Sequence, residues 1–241
     1  MAEPKVRLHV DQPLGPGQAV ALDESRANYL FAVMRLPVGA SVLLFNGRDG
    51  EWRAEVAEAT KRRGILVCRD QTRPQAMPPD LWLLFAPVRK ERTAFLVEKA
   101  VELGVRRLVP VTTRFTNADR LRTDKERAHA TEAAEQCGAL FVPEVTEPQP
   151  LERALAGWPA DRRLYWADEG LAGTAGPWPG VAGEPAALLI GPEGGFSPEE
   201  RARLAALPAV TPIALGPRIL RAETAALAAL TLWQAQFGDW R

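Results

Sequence analysis

The chain has 241 residues, of which 46% are hydrophobic and 25% are charged, and its formal net charge is zero. Such a composition predicts a soluble globular protein with a sizeable core in one large or two modest domains, and it excludes a polycation that binds nucleic acid over its whole surface. The chain has only two cysteines and two histidines, which argues against a disulfide framework and a histidine-rich metal site. No apolar run approaches the ~20 residues that a membrane span needs. The N-terminus "MAEPKVRLHVDQ" lacks the order of a signal peptide, so we predict a cytoplasmic protein.

Short strands separated by turns make up the first part of the chain. The segments "KVRLHV", "SVLLFNG", "EWRAEVAEA" and "GILVCR" alternate or run apolar over strand lengths. One helix interrupts them, with Asp23 as a candidate N-cap. Its apolar stripe comprises Ala27, Leu30, Phe31 and Met34. This pattern predicts a small β-barrel-like domain over residues 1–72. The segment "DQTRPQAMPPD", residues 70–80, holds three prolines and is the predicted linker.

Strands and helices alternate in the second part, residues 73–241. The apolar segments "LWLLFAP", "RRLVPV", "RRLYWAD", "AALLIG" and "VTPIALG" are separated by amphipathic helical patterns, of which one has Thr123 as a candidate N-cap and one ends at Gly238. This alternation predicts an α/β domain with a parallel sheet. The Ala-, Gly- and Pro-rich segment 170–185 is either a loop over a ligand site or a surface excursion.

Two glycine-bearing turns follow strands of the predicted sheet. The first lies in "LLIGPEGGFSPEE", residues 188–200, and the second in "LGPRILRAETAALAAL", residues 215–230. Ligands of open parallel sheets bind beyond the carboxyl ends of the strands. The first turn has neither a dinucleotide fingerprint nor a P-loop lysine, and Glu193 disfavours a phosphate, so a neutral or cationic ligand fits better. A tight turn without a ligand, and a helix start whose Arg221 and Glu223 merely face solvent, remain open alternatives.

These two motifs together resemble the SPOUT-superfamily methyltransferases of the ribosomal RNA small subunit methyltransferase E family, which methylate N3 of a uridine in small-subunit rRNA. The upstream segments "ANYLFAVMRLPVGA", "LFNG", "KERTAFLVEKAVELGV", "PVTTRFTN" and "AAEQCG" stand in the order of that family, so the resemblance covers nearly the whole chain. The sequence departs from the family at Ala139, Leu140 and Phe141, where a polar or basic residue is common.

The resemblance implies an N-terminal PUA-like barrel, a C-terminal SPOUT domain with a deep trefoil knot, a homodimer, and S-adenosylmethionine as cofactor. No metal is implied. The partner would be small-subunit rRNA or the assembled small subunit. By motif match, the cofactor-binding residues are expected to lie in the two turns and at the start of the last helix: Leu189, Ile190, Gly191, Pro192, Glu193, Gly194, Gly195, Leu215, Gly216, Ile219, Leu220, Arg221, Thr224 and Ala225.

Methyl transfer to uracil N3 needs an aligned nucleophile and positive charge near the two uracil carbonyl oxygens. Arginine suits the second task because it stays protonated and presents a planar fork. We therefore predict Arg218, Arg221 and Arg114 as catalytic candidates, with Glu223 either orienting an arginine or accepting the N3 proton. Cys137 could be mistaken for a nucleophile, but a small buried thiol is the favoured interpretation.

Basic residues cluster locally although the chain is neutral. Residues 106–127 hold seven arginines or lysines against three acids, and "KRRG" at 61–64 adds another patch. Such patches can bind RNA through phosphate contacts. The predicted RNA-binding residues are Arg7, Arg35, Lys61, Arg62, Arg63, Arg114, Arg120 and Arg122. Arg92, Lys99 and Glu102 share a helix face that we interpret as an ordinary surface ladder, with RNA or a dimer partner as the alternatives.

Other functions remain open, of which an enzyme acting on a nucleotide phosphate is the weakest, because the sequence has no Walker lysine and no clustered metal carboxylates. A related SPOUT enzyme could methylate a ribose 2′-hydroxyl or another base, and a non-catalytic RNA-binding assembly factor could keep the turns for stability alone. Nucleoside analysis of the methylated RNA distinguishes methylation of uridine N3 from methylation of a ribose or another base. Calorimetry with S-adenosylmethionine distinguishes an enzyme, which binds the cofactor, from a non-catalytic assembly factor.

Overall fold

The structure is a computed structural model that describes Pro4 and residues 6–117, 121–174 and 176–240. Arg120, one of the predicted RNA contacts, lies outside the described residues. The chain divides into two compact units. The first comprises Met1–Met77 and Ala134–Phe141, and the second comprises Pro78–Ala133 and Val142–Arg241. Within the described part, no helix combines the length and hydropathy that crossing a bilayer requires.

The first unit is built on a five-stranded sheet in the order β1-β3-β4-β5-β2. Its strands and its short α-helix are β1 (Arg7–His9), β2 (Ala19–Leu22), α1 (Glu24–Ala27), β3 (Ser41–Phe45), β4 (Glu51–Ala59) and β5 (Gly64–Arg73). β1 pairs in parallel with β3, and all other pairs are antiparallel. Alternating side chains of every strand, including Leu8, Val20, Leu44 and Val56, fill one apolar core.

Three details of the first unit differ from the sequence prediction. β2 was missed because "AVAL" is too short to show a period. β5 runs to Arg73, so the first residues of the predicted linker are strand. The predicted helix is divided: Asp23 caps α1 by accepting from the Arg26 amide (2.8 Å), and a π-helix, Asn28–Val33, follows it. These differences arise from strand pairing and side-chain packing, which the hydrophobic periodicity of a short segment does not reveal.

A partly buried ion cluster ties residues 134–141 to the sheet of this unit. The Arg7 guanidinium donates to a carboxylate oxygen of Glu51 (2.5 Å) and to the carbonyl oxygens of Ala134 (2.7 Å) and Ala139 (2.6 Å). Arg73 donates to both Glu51 oxygens (3.1 and 2.6 Å) and to the carbonyl of Gly138 (2.9 Å). Burial alone would raise the pKa of Glu51, but the hydrogen bonds from Arg73, Arg7 and Thr72 outweigh it and lower the pKa to about 2.

The second unit confirms the predicted parallel sheet. Its order is β12-β10-β11-β6-β7-β8, and every neighbouring pair is parallel. The strands are β6 (Leu81–Phe85), β7 (Arg107–Thr112), β8 (Glu144–Val145), β9 (Gln149–Pro150), which pairs with β7, β10 (Arg163–Ala167), β11 (Ala186–Ile190) and β12 (Val210–Ile213). All five residues of β11 are buried, as expected for a strand covered on both faces.

Helices connect these strands, and their ends follow local sequence signals. They are α2 (Lys90–Glu102), α3 (Thr123–Cys137), α4 (Leu151–Leu155), α5 (Pro198–Ala206) and α6 (Ala222–Phe237). Ser197 and Glu200 form a reciprocal capping box at α5, and Gly104 follows α2 with φ +76°. The N-cap prediction for Thr123 is wrong, because α3 begins at that residue and its hydroxyl donates to Glu147 (2.7 Å).

Parallel pairing places the carboxyl ends of β10, β11 and β12 side by side. These strands end at Ala167, Ile190 and Ile213. The two glycine turns follow β11 and β12, so both leave the same edge of the sheet although about twenty residues separate them along the chain. The loop after β10 leaves this edge as well.

Candidate functional site

One cavity lies at this edge, with about 630 Å³ of space free of atoms, open solvent included. This size is within the range of small-molecule sites. Three loops and the start of α6 line it: Ala167, Asp168, Glu169, Ala172, Ile190, Gly191, Pro192, Glu193, Gly195, Ile213, Leu215, Gly216, Arg218, Ile219, Leu220, Ala222 and Ala225. Both glycine turns therefore contribute to one site, as the sequence predicted. Ile219 is 79% exposed on its wall, and so offers apolar surface to a ligand.

Glycine is needed in the turns for two different reasons. A Cβ at Gly191 would lie 2.6 Å from Cε2 of Phe196, whose ring packs edge-on against Trp166. Gly216 has φ +109° with nothing within 4 Å of a Cβ, so only its backbone conformation demands glycine. Gly195 combines both reasons, with φ +67° and a Cβ position 2.6 Å from Oε1 of Glu169.

The loop after β10 forms a third wall, and its two acidic residues, Asp168 and Glu169, were not singled out from the sequence. Arg201, on α5, donates to Oδ1 of Asp168 (2.6 Å) and Oε1 of Glu169 (3.1 Å), and so holds both carboxylates beside the first turn. The Gly173 amide donates to the carbonyl of Gly216 (3.1 Å), which joins the loop to the second turn. The start of segment 170–185 thus borders the cavity, which agrees with the first of its two interpretations. The acidic pair after a buried strand was the available signal.

An arginine on α2 links the first turn to α6. Nη1 of Arg92 lies 3.3 Å from Oε1 of Glu193, and its Nε lies 3.6 Å from Oε1 of Glu223. Arg92 had been interpreted as part of a surface ladder with Lys99 and Glu102. That ladder reduces to Lys99 and Glu102, 2.5 Å apart, while Arg92 bridges two carboxylates from different elements.

Most of the predicted cofactor-binding residues line the cavity. Those that do are Ile190, Gly191, Pro192, Glu193, Gly195, Leu215, Gly216, Ile219, Leu220 and Ala225. Leu189 does not, because it faces the hydrophobic core of the sheet. Gly194 lies against the side chain of Phe115, with a Cβ position 2.9 Å from that residue's Cβ. Arg221 and Thr224 are exposed at the start of α6 and are not part of the lining.

The four catalytic candidates are placed differently. Arg218 is exposed and lines the cavity. Arg221 is the N-cap residue of α6, with no side-chain capping bond. Glu223 is 15% exposed, pairs with Arg92, and keeps its Oε2 buried without a hydrogen-bond partner among the described residues. Arg114 lies elsewhere: its amide donates to Glu200 (2.8 Å), and its side chain borders a separate depression between β7 and α4.

The predicted RNA contacts of the first unit fall into two groups. Arg7 is 11% exposed and its guanidinium donors are used within the ion cluster with Glu51, so the structure gives it a structural role instead. Lys61, Arg62 and Arg63 are exposed on the turn between β4 and β5. Arg35 is also exposed and has φ +55°, a conformation uncommon for a residue other than glycine.

Two further predictions concern α3 in different ways. Arg122 is exposed immediately before α3, where it pairs with Asp124 (2.5 Å), so its charge is partly neutralised. Cys137 is a free cysteine at the end of α3, and it is exposed rather than buried as predicted.

Among the described residues, no group of three or more His, Cys, Asp or Glu side chains could hold a metal ion.

The fold and the cavity define a two-unit protein whose parallel α/β unit has a cavity of small-molecule size at a glycine-lined strand edge. Comparison with known families gives the class. Residues 75–234 match the RNA methyltransferase domain, and residues 22–67 match the RNA methyltransferase PUA domain. The first match covers more than half of the chain, so this protein belongs to the RNA methyltransferase family. The PUA-like domain and the parallel α/β methyltransferase domain expected from the resemblance are confirmed. The SPOUT assignment and the knot stay predictions.

Individual relatives span nearly the whole chain. The ribosomal RNA small subunit methyltransferase E of Buchnera aphidicola is 27% identical over 97% of both chains. The crystal structure of the enzyme of that name from Neisseria gonorrhoeae, bound to S-adenosyl methionine, has 27% identity and a TM-score of 0.86, and covers 98% of this chain and 99% of the other. A Legionella pneumophila protein in complex with the bound cofactor SAM has 28% identity and a TM-score of 0.87. The match covers 99% of this chain and 100% of the other.

Proposed function

We propose that this protein transfers a methyl group from S-adenosylmethionine to N3 of a uridine in small-subunit ribosomal RNA. Membership in the RNA methyltransferase family supports the reaction class. The names of the relatives support small-subunit rRNA as the substrate, and the cofactor present in two similar structures supports the methyl donor. The choice of N3 rests on the resemblance of the motifs in residues 188–200 and 215–230.

The charges of the residues that line the cavity are the main structural support for this proposal. Asp168, Glu169 and Glu193 line it against one arginine, Arg218, and the rest of the lining is apolar or main chain. Arg92 and Arg201 offset part of the negative charge from outside the lining. Such a set favours a ligand with sulfonium and ammonium charges and disfavours a nucleotide phosphate. S-Adenosylmethionine has both cationic groups, a carboxylate and a planar base, so the residues present fit it.

The roles of the cavity residues follow from their chemistry. The main chain at Gly216 can approach a planar base closely, because nothing lies within 4 Å of the position that a Cβ would occupy there. Gly191 and Gly195 instead let the first turn pack closely against Phe196 and Glu169. Ile219 and Leu220 would cover the apolar faces of the ligand. When bound, the cofactor supplies a methyl group activated by its positively charged sulfur. The three-loop cavity would hold that group in a fixed position, and positioning of this kind supplies roughly 7–11 kcal/mol of a barrier.

Arg218 is the catalytic candidate that the cavity supports best. It belongs to the lining, whereas Arg114 borders a different depression and Glu223 pairs with Arg92. N3 of uracil gives up its proton to Glu223, directly or through water, and the negative charge spreads to the carbonyl oxygens beside it. The N3–methyl bond then forms as the sulfur–methyl bond breaks, which leaves S-adenosylhomocysteine. A guanidinium near the carbonyl oxygens would stabilise the charge without a change in its own protonation. Arg221 would flank the RNA at the start of α6, and Arg35, Lys61, Arg62, Arg63, Arg114 and Arg122 would contact phosphates.

The proposal includes a homodimer, from the family resemblance, and two functional domains whose boundary near residue 73 stays a prediction. Dimerisation is checked by sedimentation of the purified protein. A dimer is expected at micromolar concentration, and a monomer there contradicts this part of the proposal without affecting the reaction class.

The reaction is tested by transfer of labelled methyl groups to total RNA from cells that lack this protein. The expected product is 3-methyluridine at one position of small-subunit rRNA. A 2′-O-methyl nucleoside or another methylated base would contradict the choice of N3. A failure to bind S-adenosylmethionine in calorimetry would contradict the enzyme altogether.

The role of Arg218 is tested with Arg218→Met, which keeps the aliphatic stem and removes the charge. One lost charge-assisted contact in a transition state costs about 2.7–4 kcal/mol, so we expect kcat to fall by about 10²–10³. Arg203→Met is the matched control, because Arg203 is exposed on α5 and pairs with Glu152 (3.0 Å). Equal kcat values for both variants would remove Arg218 from the mechanism.

A further inference from the structure

The bridge made by Arg92 connects parts of the chain that are far apart in sequence. Arg92 lies in the first turn of α2, Glu193 in the glycine turn after β11, and Glu223 in the first turn of α6. Along the chain, Arg92 is 101 residues from Glu193 and 131 residues (223 − 92) from Glu223. One guanidinium therefore joins two of the elements that enclose the cavity. Neither helix propensity nor capping requires this contact.

The charges explain why an arginine is needed at this position. Glu193 and Glu223 are both carboxylates, so without an intervening cation they would repel each other across the junction of the turn and α6. Arginine can contact both through separate nitrogens, since its Nη1 and Nε face different partners at 3.3 and 3.6 Å. A lysine offers a single ammonium, which satisfies two separated carboxylates less well.

The environment of Glu223 makes this contact more important than an ordinary surface pair. Its side chain is 15% exposed, and its Oε2 is buried without a hydrogen-bond partner among the described residues. Loss of Arg92 would leave a largely buried carboxylate without its cation, which is more costly than loss of an exposed pair. Glu193, in contrast, is half exposed and lines the cavity, so it can respond to a ligand.

We propose that Arg92 is a positioning residue that fixes the Glu193 turn against the start of α6 and thereby sets the affinity of the cavity for its cofactor. This inference rests on the proposed function for the identity of the ligand. Arg92 is not part of the cavity lining, so it acts through Glu193 and Glu223. The ordering of a loop before binding removes an entropic cost that the ligand would otherwise meet.

The test compares Arg92→Met with Lys99→Met. Lys99 lies on the same helix and forms an ion pair of similar exposure with Glu102 (2.5 Å), but this pair lies two turns further along α2. Calorimetry with S-adenosylmethionine is expected to give a Kd about three- to tenfold higher for Arg92→Met and an unchanged Kd for Lys99→Met. Arg92→Lys is expected to lie between the wild type and Arg92→Met. In steady-state assays, KM for the cofactor rises and kcat stays within about twofold of the wild type.

A double-mutant cycle with Glu193→Gln separates positioning from general stability. If Arg92 acts through Glu193, the double variant binds the cofactor no more weakly than the weaker single variant. A fully additive loss overturns the inference. So does a wild-type Kd in folded Arg92→Met, and so does a fall in kcat without a change in KM.

Hydrogen exchange gives a readout without any cofactor. The Gly195 amide donates to the Pro192 carbonyl (2.9 Å) and the Ala225 amide to the Arg221 carbonyl (2.7 Å). Both amides are expected to exchange faster in Arg92→Met than in Lys99→Met, because the turn and the start of α6 lose their common anchor. Unchanged exchange overturns the inference. Absence of cofactor binding by the wild type, together with faster exchange in the variant, would instead overturn the proposed function alone.

Discussion

Replacement of Gly195 by alanine perturbs the cavity at the residue where both reasons for glycine meet. Its φ is +67°, and a Cβ would lie 2.6 Å from Oε1 of Glu169. Alanine must therefore adopt the left-handed region and displace a carboxylate that Arg201 holds at 3.1 Å. Both effects act on the wall of the cavity rather than on the hydrophobic core of the sheet.

The expected magnitude combines these two contributions. A non-glycine residue in the left-handed region costs roughly 1–2 kcal/mol. The pair of Glu169 with Arg201 is partly exposed, with side-chain accessibilities of 41% and 33%, so its loss costs about 0.2–1 kcal/mol. The sum is about 1–3 kcal/mol. At 1.4 kcal/mol per factor of ten, this corresponds to a Kd for the cofactor that is about 5- to 140-fold higher, provided that the exposed turn relaxes in the free protein.

Calorimetry with S-adenosylmethionine measures this Kd, and three other glycines separate the contributions. Gly216→Ala introduces backbone strain without a contact, and Gly191→Ala introduces a contact with Phe196 without a positive φ. Gly176→Ala introduces neither and is the control. We expect Gly176→Ala to bind as the wild type does and the other three variants to bind more weakly. Thermal unfolding shows whether part of the cost appears in stability instead.

The role assigned to Gly195 is refuted if Gly195→Ala binds the cofactor within twofold of the wild type and unfolds at the same temperature. Weaker binding by Gly176→Ala to the same extent would also refute it, because the effect would then not depend on the conformation of the turn.

Two further predictions concern ion pairs. Glu51 has its pKa lowered to about 2 in the folded protein, so the stability from its contacts with Arg7 and Arg73 is present above the unfolded pKa, near 4.5, and is lost as pH falls from there toward 2. Glu51→Gln should flatten the dependence of the unfolding free energy on pH in this window, and a slope equal to that of the wild type there would contradict the role of Glu51. Arg201→Met should raise the cofactor Kd several-fold, about three- to tenfold, whereas Arg203→Met, two residues further along α5, should not; equal Kd values for both variants would show that the third wall does not need its arginine.

Local patterns were sufficient to predict most elements of the second unit. Strands covered on both faces read as continuous apolar runs, and β11 is such a strand. Ser197 caps its own helix through bonds to Glu200, three residues away, so the start of α5 could be predicted from four residues. The two glycine turns could be predicted for the same reason, because the conformation of a turn depends on its own residues.

Predictions failed where a residue's role depends on a distant part of the chain. Arg7 was predicted to contact RNA, yet its guanidinium is used by Glu51 and by carbonyl groups some 130 residues away. Arg92 was interpreted as part of a surface ladder because its i,i+3 and i,i+4 neighbours were all that the sequence offered. Asp168 and Glu169 of the third wall were missed because they acquire their place only when β10 pairs with β11 and β12.

The amino-acid order therefore specifies which segments are strands, which residues end helices, and where the chain turns, since each depends on neighbours within a few residues. The choice of strands that lie side by side, and hence which three loops enclose the cavity, depends on the burial of apolar faces over the whole sheet. The roles of the arginines likewise depend on the tertiary structure. A guanidinium on a helix surface has the same local pattern whether it faces solvent or joins two carboxylates brought together by the fold.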